Sequence, residues 1–262
     1  MVHSQSDRPS ELTAELASAS IAELVAEIEA KTPTETGQTI EQIEKALKDI
    51  YFVSGLGADE RVFYLLKLEG YQPIHIRWLK PEPDESIADY AKRLTAQIKS
   101  DRPIIIGLSF GGIISIEIAK HIEVEKVILI SSAKTDAEIP LYFKLFRWLP
   151  IHRVFPFKTL LWTTYRLAYW IFSLETPDEC QLLRAILVDT DADFLKWALH
   201  KVVTWKNQTV PDCLHHLHGT SDRIFPIHFV TPHAKVEQGG HFMVINRATQ
   251  ISSLLEGILK VI

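Results

Sequence analysis

Two cysteines in 262 residues, Cys180 and Cys213, are too few for a disulfide framework and stand in no C-x-x-C or zinc-ligand spacing. They read as buried thiols of a reducing compartment. An excess of positive charge is missing as well. With 28 basic against 33 acidic residues, the net charge of −5 leaves no basic stripe for a phosphate backbone, which excludes nucleic acid as a partner. Residues 1–7 lack the basic and then apolar regions of a signal peptide, so a cytoplasmic location is expected. No uncharged apolar run is long enough for a transmembrane span. The richest, residues 159–174, is interrupted by Arg166 and reads as a buried or interfacial helix. Metal-ligand sets are also lacking. Asp189, Asp191 and Asp193 have no glycine and glutamate spacing to complete a calcium loop, and His215, His216 and His218 have no second ligand set. Neither a metal nor a cofactor is expected.

What is present is a chain long enough to bury a large core, with a change of character near residue 50. Residues 1–49 carry ten acidic against four basic side chains, so the remainder is nearly neutral. Two capping-box signatures, Ser20-x-x-Glu23 and Thr39-x-x-Gln42, precede apolar residues at helical spacing (Ile21, Leu24, Val25, Ile28; Ile40, Ile43, Leu47). This predicts a pair of amphipathic helices, either packed on the main domain or docking a protein partner. From residue 50 onward, short apolar runs at 50–53, 73–78, 103–108, 124–130, 212–218 and 234–236 alternate with helical patterns at 86–98, 110–121 and 244–260. Such alternation predicts an α/β fold with a mostly parallel sheet. The alternation stops at residues 134–210, which read as a helical insertion and hold five of the six tryptophans. The expected organisation is an N-terminal helical extension over 1–49, an α/β core over 50–133 and 211–262, and a helical cap over 134–210.

The residues that carry chemistry begin with Gly107-Leu108-Ser109-Phe110-Gly111, which follows an apolar strand and opens an apolar helix. That context is what a G-x-S-x-G turn requires: a serine in a tight strand-to-helix turn, with small residues on both sides of it. A serine hydroxyl is a weak nucleophile until a base takes its proton, and the base needs an acid to orient it. Asp222, in His218-Gly219-Thr220-Ser221-Asp222, lies just past a late strand at the carboxyl edge of the sheet, where Ser109 also lies, and is the preferred acid. Asp136, after the strand that follows the serine's helix, is the alternative. His241, in Gly239-Gly240-His241-Phe242 before the C-terminal helix, is the expected base. Asp59-Glu60-Arg61 reads as a helix start with surface charges; the alternative is that Arg61, near the mouth, meets an acidic substrate group.

The set Gly107-x-Ser109-x-Gly111, His218-Gly219-x-x-Asp222 and Gly240-His241 resembles the α/β-hydrolase superfamily over residues 50–262. The resemblance implies that Ser109, Asp222 and His241 are nucleophile, acid and base, and that the insertion at 134–210 sits where a lid commonly enters the fold. It also implies an oxyanion hole made by the amide of Phe110 and by one from the loop Ser54-Gly55-Leu56-Gly57, here Leu56. Many members carry His-Gly where this chain has Ser54-Gly55. The sheet also starts late, which implies a trimmed core.

The insertion is crowded with aromatic residues, and Trp148, Trp162 and Trp170 are its candidate substrate-pocket residues. An apolar vault over Ser109 favours an apolar acyl group. The expected activity is hydrolysis of a carboxylic ester or thioester through an acyl-enzyme, with a small molecule as substrate. The alternatives are a lyase, cyclase or acyltransferase using the same triad, or a non-catalytic ligand-binding or scaffold protein.

Overall fold

The alternating pattern is realised, in the computed structural model, as six parallel strands; residues 47–143 and 165–260 are described. The strands are β1 (Lys48–Val53), β2 (Tyr71–Ile76), β3 (Ile104–Leu108), β4 (Lys126–Ile130), β5 (Leu214–Gly219) and β6 (Ala234–Val236), in spatial order β2-β1-β3-β4-β5-β6. Helices α1 (Ile87–Leu94), α2 (Phe110–Ile118), α3 (Tyr165–Phe172), α4 (Pro177–Asp189), α5 (Ala192–Thr204), α6 (Met243–Asn246) and α7 (Ala248–Lys260) complete the described elements. The chain splits into two compact units at Leu47 and Lys48. The helix pair expected within 1–49 lies, up to residue 46, outside the described residues; Leu47, expected on its second helix, stands in a bend, and Lys48 and Asp49 belong to β1. Trp148 and Trp162 also lie outside the described residues. Among the described residues no helix is long and apolar enough to cross a membrane.

The centre of the sheet is buried on both faces, so β3 and the buried parts of β1 and β4 are apolar while their side chains still alternate. Tyr51, Val53, Ile105, Val127 and Leu129 pack on one side with Tyr90 of α1, Ile113 and Ile116 of α2, and Phe194 and Ala198 of α5. Ile50, Phe52, Ile104, Ile106, Ile128 and Ile130 face the other way, onto Val62 and Phe63 and onto Val244, Ile251 and Leu255 near the C-terminus. Helix α2, sandwiched in the first cluster, is buried at every residue from Phe110 to Ile118, as a helix apolar all round requires. Its one carboxylate, Glu117, is buried with Lys120 Nζ at 2.6 Å and Trp205 Nε1 at 2.7 Å.

Among the boundaries that differ from the sequence pattern, three have a visible cause. Strand β2 begins two residues earlier than expected because it pairs along all of β1, from Lys48 opposite Tyr71 to Val53 opposite Ile76. Helix α1 tightens after Leu94 into a 3-10 turn, Thr95–Gln97, whose Gln97 side chain bridges the backbone N–H and C=O of Arg77. The last helix is divided at Arg247 (φ −129°, ψ 27°), where Asn246 Nδ2 donates to the Ser173 carbonyl and Arg247 pairs with Glu175 at 2.7 Å. Between β4 and β5 the described regular structure is all helical.

Candidate active site

Ser109 stands where β3 ends and α2 begins, with φ 52° and ψ −119°, a conformation L-residues seldom adopt. The turn is imposed by packing. A Cβ on Gly111 would drive into the carbonyl oxygens of Val53 and Ser54, and one on Gly107 into Ser115 Oγ and the Gly111 carbonyl. Small residues are therefore obligatory at both positions. The serine backbone is pinned as well: its N–H donates to the Ile130 carbonyl at 2.9 Å, and its own carbonyl accepts from Ser132 Oγ at 2.7 Å.

Asp222 and His241 come from the loops after β5 and β6, at the same carboxyl edge of the sheet. Asp222 Oδ1 accepts the amides of Ile224 and Phe225 at 2.8 and 2.9 Å, which fixes the carboxylate. Its Oδ2 accepts His241 Nδ1–H at 2.8 Å, and His241 Nε2 lies 2.9 Å from Ser109 Oγ. With Nδ1 protonated toward the carboxylate, the neutral ring presents a lone pair at Nε2, so the serine hydroxyl donates to it. Burial pushes the Asp222 carboxyl up, but the neighbouring His241 and His218 and the Phe225 amide outweigh it and hold the group below its ordinary value. The acid is thus ionised and buried. Asp136, the alternative acid, opens the 3-10 turn Asp136–Glu138, where its amide donates to Asn207. Among the described residues it makes no hydrogen bond to His241.

The oxyanion candidates sit on either side of Ser109. Phe110 is the first residue of α2, where helical geometry leaves the amide without an internal acceptor. Leu56 is the second residue of a turn closed by Ala58 N–H donating to the Gly55 carbonyl at 3.0 Å. Gly55 faces the serine directly, its Cβ position lying 3.6 Å from Ser109 Cβ. Among the described residues, no hydrogen bond engages the amide of Leu56 or Phe110.

Aromatic rings surround the histidine, and the sequence pattern had not singled them out for that role. Phe172 meets His241 edge-on at 5.7 Å between centroids, and Phe225 lies at 6.0 Å. Tyr142 donates to the Ile224 carbonyl at 3.1 Å, and burial, with the Asp222 charge behind it, pushes its phenol up. Among the described residues, no enclosure of Trp170 is seen. Its ring is 58% exposed and lies under the Arg223 guanidinium, 4.5 Å away.

The histidines of β5 form a second buried chain behind Asp222. His218 Nε2 is 2.7 Å from the Phe225 carbonyl, so that nitrogen carries the proton, and it lies 3.5 Å from Asp222 Oδ2. His218 Nδ1 must then accept, and His216 Nε2–H donates to it at 3.1 Å. Burial lowers the pKa of both rings, that of His216 strongly. The i, i+2 spacing that puts them on one side of a strand was visible in the sequence; their partners were not.

Asp59-Glu60-Arg61 does open a short 3-10 helix, Glu60–Phe63, but the alternative role for Arg61 is corrected. Arg61 does not stand ready for a substrate: it is held between Asp59 at 2.6 Å and Asp189 at 2.7 Å, which raises its pKa. The three aspartates do not converge. Asp189 takes Arg61, Asp191 caps α5 by accepting the Phe194 amide at 2.7 Å, and Asp193 pairs with Lys196 at 3.7 Å.

Strained serine, parallel sheet and chain order together indicate a known class, and the comparison with family models agrees: the chain belongs to the alpha/beta hydrolase family, whose model matches residues 50–252. No curated protein sequence matches it significantly. Among solved structures it is similar to a bromoperoxidase from Bacillus anthracis, at 16% identity over 82% of this chain and 92% of that one, with TM-score 0.63. An esterase from Exiguobacterium antarcticum aligns at 17% identity over 81% and 92%, with TM-score 0.60. An enol-lactonase from Burkholderia xenovorans LB400 aligns at 16% over 81% and 91%, with TM-score 0.57. At these identities the likeness is one of fold.

Proposed function

We propose that the chain is a serine hydrolase that cleaves a carboxylic ester or thioester with an apolar acyl group. The observation that carries this reading is the unbroken line from Ser109 Oγ through His241, 2.9 Å away, to Asp222, 2.8 Å further on, built on a strained serine backbone. In the first half-reaction Ser109 Oγ bonds to the acyl carbon while its proton passes to His241 Nε2. Asp222 keeps the ring in the productive tautomer and stabilises the imidazolium. The amides of Leu56 and Phe110 hold the oxyanion. The tetrahedral adduct collapses, the leaving alcohol or thiol takes the proton from His241, and the acyl group stays on Ser109. Water, deprotonated by the same histidine, then releases the acid. The helical insertion between β4 and β5 acts as the cap, and Phe172, Phe225 and Tyr142 supply an apolar wall that excludes water.

The test is labelling by a fluorophosphonate with the adduct located by mass spectrometry. Wild type is expected to carry it on Ser109, and Ser109→Ala and His241→Ala to carry none. Asp222→Asn should hydrolyse esters on the order of 10⁴-fold more slowly through the wrong tautomer. A folded wild type that takes no label, or a label that survives Ser109→Ala, overturns the assignment. A flat response across esters and thioesters of increasing acyl length would overturn the apolar-pocket part alone.

A further inference from the structure

We infer that Thr190, on the helical insertion, is a positioning residue for the oxyanion donor Leu56. This rests on the reading just given of Ser109 and its amides.

The turn Gly55 to Ala58 presents Leu56 at its second position and Gly57, at φ 71°, at its third, the left-handed geometry of a type II turn. Two groups of the core brace the far end of the turn: Ser54 Oγ and Trp78 Nε1 both donate to the Ala58 carbonyl, at 2.6 and 2.9 Å. The Gly57 carbonyl is held from elsewhere. Thr190 Oγ1 donates to it at 2.6 Å across 133 residues of chain. The approach is close enough to forbid a side chain at the turn, since a Cβ on Gly57 would lie 2.6 Å from Thr190 Cγ2. Thr190 is itself buried, at 6% exposure, so water does not readily replace its hydroxyl.

A second tie joins the same two segments. Arg61, just beyond the turn, bridges Asp59 to Asp189, the residue before Thr190. That pair is partly exposed and contributes register rather than strength. The Thr190 hydroxyl also lies 2.7 Å from the Ile186 carbonyl of its own helix. The one hydroxyl thus has acceptors on both α4 and the oxyanion turn. With Thr190 bonded to Gly57, the Gly57–Ala58 peptide is fixed, and with it the Ala58 N–H that holds the Gly55 carbonyl, which shares its peptide with the Leu56 amide. With it bonded to Ile186, the Gly57 carbonyl loses that donor, and the turn is left to its core braces and the Arg61 bridge. The insertion thereby sets how rigidly the oxyanion donor is aimed, in addition to covering the site.

The test compares wild type, Thr190→Val and Thr190→Ser on p-nitrophenyl esters from acetate to decanoate. Valine keeps the shape and removes the proton. It is expected to lower kcat about tenfold with KM unchanged, less than the loss of an oxyanion donor outright. The factor should be the same for every acyl length, because the carbonyl is common to all of them. Serine should restore the rate. If Thr190→Val is not recovered folded, the exposed pair Arg61→Gln with Asp189→Asn should show the same KM-independent loss, about threefold. A Thr190→Val kcat within twofold of wild type, a serine variant as slow as valine, or a loss confined to KM or varying with acyl length overturns the inference. Wild type that cleaves no ester and takes no label at Ser109 overturns the reading beneath it as well; one that does both isolates any failure to Thr190.

Discussion

Ser109 holds φ 52° and ψ −119° only because β3, α2 and the carbonyls of Val53 and Ser54 leave the turn no alternative. Such a conformation costs an L-residue on the order of 1–3 kcal/mol, whereas glycine adopts it freely. Ser109→Gly is therefore expected to be inert to fluorophosphonate yet more stable than wild type by about 1 kcal/mol in urea unfolding, part of the relief being offset by glycine's larger loss of chain entropy. Equal or lower stability would mean that the turn is not strained. At this scale much was legible in the sequence. Ser109, Asp222 and His241 each sit in a local pattern of glycines, strand and helix that names them, and the structure joins all three. Arg61, Asp189 and Thr190 were not legible as a unit. Their partners lie 128 and 133 residues away, and no periodicity within a strand or helix carries information over that separation. Arg61 looked instead like part of a helix start with surface charges, and no pattern singled out Thr190.

Helix α2 carries the proposed nucleophile at its first turn and is buried from end to end, so its position is set by what it packs against. The polar exception fixes it further. Trp205, just past α5, donates Nε1 to Glu117 Oε1 at 2.7 Å and ties the end of the helical insertion to the helix behind Ser109. Trp205→Phe keeps the ring and removes the donor, leaving a buried carboxylate oxygen short of a partner. It should cost about 2 kcal/mol in chemical denaturation. The double variant with Glu117→Gln should recover part of that loss, and full additivity of the two changes would argue against the contact. Strands were easier to place from sequence than helix ends. All six lie within about two residues of the apolar runs, because a sheet whose centre is buried on both faces leaves a short, uninterrupted signature. The break at Arg247 escaped notice because it is made by Ser173 and Glu175, contributed from beyond α3.

For the molecule as a whole, the buried histidines of β5 couple stability to pH. Burial lowers the pKa of His216 and His218 in the folded chain, so the unfolded chain binds protons first, near the ordinary value of about 6.5. Their contribution to stability is complete above that pH and is lost as the pH falls toward their folded values. Tm should therefore fall between pH 7.5 and 5.5, with His216, the more strongly lowered of the two, contributing most. A Tm unchanged over that window, or His216 ring resonances that titrate at 6.5 in NMR, would contradict it. The arrangement of the sheet has a different consequence, which belongs to the time of synthesis. Strand β4 pairs with β3 on one side, but its other neighbour, β5, begins only at Leu214, after residues 131–213 have been made. At ribosomal speeds of about 5–20 residues per second, the row Lys126-Val127-Ile128-Leu129-Ile130 waits on the order of ten seconds with one edge unpaired. A bare, apolar strand edge is a template for other chains. The inserted helices proposed to cap the site thus lengthen the interval in which the nascent sheet is open to aggregation or to a holding chaperone.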